Sequence, residues 1–122
     1  MYIRFVVGSE GEDHRQLTGI VTEARLLRDR GHLTPEEEDR LERTYAWLNA
    51  NLPCPPFSTA GWSRDAVSWF KDSAEAAIRE FRLLATLLEE HGRPVRMLRS
   101  RNPGKVLYED SFQVVVVEWK TL

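Results

Sequence analysis

The sequence predicts an α+β domain, one mixed sheet with helices packed mainly on one of its faces. Three observations predict it. From Trp69 to Trp119 the chain reads as strand, helix, strand, turn, strand, turn, strand. Thr34-Pro35-Glu36-Glu37 announces a helix with a capping hydroxyl, a proline at the first helical position and a reciprocal glutamate. Val114, Val115, Val116 and Val117 are apolar on both faces of a strand, which marks an interior position. The expected order is β-α-α-β-α-β-β-β in a single domain spanning residues 1–122, a length that suits one hydrophobic core.

Each element has a local reason. Met1–Val7 alternates Ile3, Phe5 and Val7 against Tyr2, Arg4 and Val6, the period of a strand. Asp13 with Gln16 has the form of a capping box, followed by Leu17, Ile20, Val21, Ala24 and Leu27 at helical spacing. Gly31 supplies a left-handed stop. The second helix buries Leu41, Tyr45, Leu48 and Leu52, and Pro53-Cys54-Pro55-Pro56 ends it because proline cannot continue the ladder.

Ala66–Lys71 is a short strand, and Asp72 with Glu75 caps a third helix on Ala77, Phe81, Leu84 and Leu88. Pro94–Ser100 is the next strand. Asn102-Pro103-Gly104 is turn chemistry, and Val106–Glu109 with Phe112–Lys120 makes a closing hairpin around Asp110-Ser111. The helix between Lys71 and Pro94 permits a right-handed parallel crossover, hence the mixed sheet. Three helices cover one sheet face. A second copy, packed on the face around Val114–Val117, is the economical cover for the other, so a homodimer is expected.

Composition narrows the function classes. The net charge is −2, so no global positive field recruits nucleic acid or anionic membrane. No apolar run approaches the length of a bilayer span, and no secretory leader is legible, so the cytoplasm is the expected location and no membrane partner is expected. One cysteine, Cys54, excludes an internal disulfide framework.

Set side by side, Asn51-Leu52-Pro53-Cys54-Pro55-Pro56-Phe57, Val67-Ser68-Trp69-Phe70-Lys71, and Pro103–Asp110 with Gln113-Val114-Val115 resemble segments of a group of small uncharacterised bacterial proteins. Those carry NLPxPPF, WFK and PGxVxYEDxxQVV in that order, and the resemblance covers roughly residues 40–117. It implies a complete bacterial domain. The group has no established activity, so it transfers no catalytic residues.

Two constellations are candidates for binding. Trp62, Arg64, Trp69 and Lys71 interleave aromatic faces with cations, as a nucleotide or small phosphorylated ligand requires: rings stack on a base and cations take phosphate. Asp72 and Glu75 oppose an anion there, and tryptophan in a strand is commonly core. Arg93, Arg96, Arg99, Arg101 and Lys105 occupy residues 93–105 without one acid. Such a ribbon tracks phosphates, so a nucleic-acid contact is the second candidate; a solvated edge whose charges discourage strand pairing is the structural alternative.

Catalytic signatures are absent. Gly8-Ser9-Glu10-Gly11 lacks the Lys-Ser/Thr ending of a phosphate loop. Glu10, Glu12, Asp13 and His14 are consecutive rather than spaced to converge on a metal. Cys54 has no local base, since His14, His32 and His91 fall at predicted helix ends. Glu109 and Asp110 point to opposite faces of a strand and do not make an acid–base pair. The expectation is a non-enzymatic bacterial binding domain with no metal and no cofactor. The alternatives are a nucleotide or phosphorylated-ligand binder and a nucleic-acid accessory protein.

Overall fold

A computed structural model describes residues 1–8 and 18–119. The elements are β1 (Tyr2–Val7), β2 (Thr18–Gly19), α1 (Ile20–Asp29), α2 (Pro35–Asn51), β3 (Val67–Lys71), α3 (Glu75–Glu90), β4 (Val95–Ser100), β5 (Lys105–Glu109) and β6 (Gln113–Val117). The α+β class is as the sequence predicts. The first helix starts later than its apolar stripe suggests: Thr18–Gly19 is strand, and Gly19 precedes α1 with no side-chain cap. Asp13, Gln16 and Leu17 lie outside the described residues, as do Ser9–His14 and Lys120.

The local signals at α2 act as expected. The Glu37 backbone N–H donates to Thr34 Oγ1 at 3.2 Å, and the Thr34 N–H donates back to Glu37 Oε1 at 3.0 Å. Gly31 adopts φ 72°, and the His32 N–H reaches the Leu27 carbonyl five residues back, a helix stop that needs a left-handed residue. The cap expected from Asp72 does not form. Ala74 precedes α3 without a side-chain cap, and Asp72 instead lies 3.7 Å from the Met1 ammonium.

Every ladder in the sheet is antiparallel, which corrects the expected mixed sheet. The cause is β1. It pairs with β4 along all six residues on one edge, and on the other edge it meets first β3 and then β2. The strands β3 and β4 therefore run the same way but never touch; β1 lies between them, antiparallel to both. The crossover through α3 steps over one strand, a split β-α-β unit.

Across the sheet the order is β4-β1-β3-β6-β5, with β2 beside the far end of β1. The link from Ser100 to Lys105 joins the two outermost strands with only residues 101–104. A flat sheet would place those strands about 19 Å apart sideways and offset by about 16 Å along the strand. Five Cα steps reach only about 18 Å. The sheet is therefore strongly curled. Leu98 of β4 accordingly packs with Trp69 of β3 and with Val114 and Val116 of β6, inside the curl.

Two cores result. On the convex face, Ile3, Phe5, Val7 and Phe70 meet Ile20, Ala24 and Leu27 of α1, Leu41 of α2, and Ile78, Leu84 and Leu88 of α3. On the concave face, Trp69, Val114 and Val116 are enclosed with Tyr2, Val67 and Leu98. Val114, Val115 and Val116 are each 0% exposed within one chain, so the strand is interior as expected. Within one chain the sheet's own curl covers the side of β6 that carries Val114 and Val116.

Candidate functional site

The ladder between β1 and β3 stops after Ile3↔Phe70, because beyond it the edge of β1 turns to β2 at Val6↔Gly19. The two strands part there, while β3 stays paired with β6 as far as Val67↔Val116. A cavity of about 670 Å³ sits at this split. Its floor is Phe5, Ser68, Phe70 and Gln113, and Arg4 also lines the parting. Its walls are the first turn of α1, the second half of α2 and the proline loop Pro53–Phe57.

The proline loop is held in place from the sheet. Gln113, 3% exposed, donates from Nε2 to the Pro53 carbonyl at 2.8 Å and to Asp110 Oδ2 at 3.1 Å, while its Oε1 accepts from Ser68 Oγ at 2.8 Å. Asp110 also accepts from the Phe112 and Gln113 N–H groups and from the Tyr108 hydroxyl. Burial pushes its carboxyl up, but these donors prevail and hold it below the usual carboxylate range. Beyond Pro56 the loop is anchored by rings: Phe57 meets Trp62 edge-on at 5.6 Å, and Trp62 lies 6.2 Å from Tyr108.

Arg25 and Arg28 stand at the α1 rim of the cleft, and among the described residues no aspartate or glutamate lines it. Both arginines flank Tyr45, whose hydroxyl donates to the Val21 carbonyl at 3.3 Å. Burial raises the Tyr45 phenol, and the two guanidiniums oppose that rise. Arg28 lies over the Tyr45 ring at 5.8 Å and pairs with Asp29 and Glu42, whereas Arg25 has no ion pair among the described residues. The first-turn N–H groups of α1, uncapped by Gly19, add the positive end of a helix dipole. Thr22, Asn49 and Ser68 supply neutral polar groups. The Arg4 side chain alternates to the concave face, where burial lowers its pKa and Glu118 partly restores it.

The residues singled out from sequence are dispersed. Trp69 is packed inside the curl, 6% exposed, with its indole N–H lacking an acceptor among the described residues. Trp62 belongs to the aromatic anchor of the loop, and Arg64 is exposed. Lys71 pairs with Glu109 at 2.5 Å across the β3 and β5 ends. None of the four lines the cleft. The basic segment is divided as well: Arg96 and Arg99 lie on β4, Arg93 and Arg101 flank it, and Lys105 opens β5 on the opposite edge. Cys54 is exposed at the cleft mouth, with its thiol 3.6 Å from the Pro55 carbonyl. Among the described residues no group of three or more histidines, cysteines or acids could hold a metal.

Arg25, Tyr45, Ser68 and Gln113 are not among the site residues expected from the sequence, which gives Tyr45 only as a buried helix position. Gln113 carried the one available signal, a polar residue heading an otherwise apolar strand. Among the described residues no helix is long and apolar enough to cross a membrane. No family model, curated protein or solved structure matches this chain.

Proposed function

We propose that this domain binds a small anionic amphiphile, a carboxylate or phosphate on an apolar body, in the cleft between α1, α2 and the split sheet. The supporting observation is the lining: a cavity of about 670 Å³ that, among the described residues, presents arginines and no carboxylate, in a chain of net charge −2. Cavities of this size suit small organic ligands, and apolar walls with few polar groups are their usual form. The anionic head would sit by Arg25 and the first turn of α1, with the body toward Leu48, Leu52 and Phe57. The alternative read from sequence, a nucleotide or small phosphorylated ligand at Trp62, Arg64, Trp69 and Lys71, is a different ligand class at a different place.

Thermal unfolding with decanoate, decyl phosphate, decanol and adenosine monophosphate tests it. Decanoate and decyl phosphate should raise the melting temperature more than decanol, and Arg25→Ala should remove that difference. Equal shifts for charged and uncharged ligands, or an undiminished preference in Arg25→Ala, would refute it. A response to the nucleotide alone would replace the apolar body with a base.

A further inference from the structure

The strand β4 pairs with β1 along its whole length and, among the described residues, with nothing else. Among the described residues, its outer edge therefore has no ladder partner. Proteins blunt such edges with bulges, prolines, short strands or charged side chains. The opposite edge, β5, carries a register shift between Val106 and Tyr108. The six residues of β4 show no such break, and its nearest proline, Pro94, precedes the strand.

Of these devices, β4 carries only charge, and all of it is positive. Arg93, Arg96, Arg99 and Arg101 lie on or beside β4, and none enters an ion pair among the described residues. Strand register places Arg96 opposite Val6 on the concave side and Arg99 opposite Ile3 on the convex side. Cations on both sides of one edge do not make a single-faced track for a phosphate backbone. They suit an added strand, whose successive side chains also alternate between the two sides.

We propose that β4 is a docking edge for an acidic, extended polypeptide segment, which adds as a strand with its carboxylates reaching Arg96 and Arg99. Backbone hydrogen bonds supply registry, and the arginines select acidic over basic sequence. The proposal stands independently of the cleft.

The probe is a labelled peptide as long as β4, alternating glutamate and valine, with a lysine–valine peptide and an oligothymidylate of matched length as comparisons. The acidic peptide should bind at low salt and weaken with added salt, and amide resonances of residues 95–100 should gain exchange protection. Arg99 and Arg101 are exposed, so R99E/R101E should keep the fold, checked by circular dichroism, and lose about tenfold or more in affinity. Arg25→Ala should leave peptide binding unchanged. No binding at low salt, equal binding to R99E/R101E, protection outside β4, or tighter binding of the oligothymidylate would each overturn the proposal.

Discussion

Gln113 Nε2 donates to the Pro53 carbonyl at 2.8 Å, tying the start of β6 to a loop residue sixty positions earlier. The contact matters because the loop forms one wall of the cleft. Gln113→Ala would leave the Pro53 carbonyl and the Ser68 hydroxyl without their partner in a part-buried site. A loss of about 2–3 kcal/mol is expected in urea unfolding. Limited proteolysis should also cut faster within residues 57–64. Unchanged stability and unchanged cutting would show that the rings of Phe57, Trp62 and Tyr108 hold the loop unaided.

A second tie joins the helix ends. His91 Nε2, just past α3, lies 2.7 Å from Glu37 Oε2 in the capping box of α2. The Thr34 N–H, then the His91 ring, holds the Glu37 carboxyl below the usual carboxylate range. A folded-state value below the unfolded one stabilises above the unfolded value, about 4.3, and is lost as pH falls through the folded value. Stability should therefore decline on acidification below about pH 5. Glu37→Gln keeps the neutral part of the box and should flatten that decline. Parallel curves for the two proteins across the acid range would assign the decline elsewhere.

Gly104 is a position where a side chain has no room. It has φ 157°, and a Cβ there would lie 2.3 Å from the Val117 carbonyl oxygen, a backbone atom that cannot swing away. Gly104→Ala should destabilise by about 2–4 kcal/mol, measured by thermal or urea unfolding. A change below 1 kcal/mol, about the helix-interior difference between glycine and alanine, would mean the hairpin shifts to make space.

The valines of β6 should report on stability and not on association. Val114→Ala removes buried methyl groups from the inside of the curl and should cost about 2–3 kcal/mol. Sedimentation equilibrium should give the same mass for wild type and variant. A wild-type dimer that the substitution dissociates would place a second copy against these valines after all.

Much of the fold was legible from the sequence because its signals are local. The capping box at Thr34, the stop at Gly31 and the doubly apolar β6 each follow from residues within one or two turns of one another. The pairing of β1 was not legible. Nothing in Tyr2–Val7 states that it will meet three strands, and that choice makes the sheet antiparallel throughout. The curl was hidden for the same reason, since it follows from strand order combined with the shortness of residues 101–104. The cleft depends on where β1 and β3 part, so Arg25, Tyr45, Ser68 and Gln113 had no shared signal along the chain. Trp69 illustrates the converse: aromatic–cation interleaving in sequence became core packing once β3 was covered on its concave side.

The central place of β1 bears on how the molecule assembles. The earliest strand in the sequence finds its longest partner, β4, only at residues 95–100. Sheet formation must close a loop that contains all three helices, so most stabilising pairings are distant along the chain. Such chains reach the native state slowly for their size. A nascent or partly unfolded molecule would hold Ile3, Phe5 and Val7 uncovered throughout that interval, making residues 2–7 the segment on which a chaperone or an aggregate would first take hold.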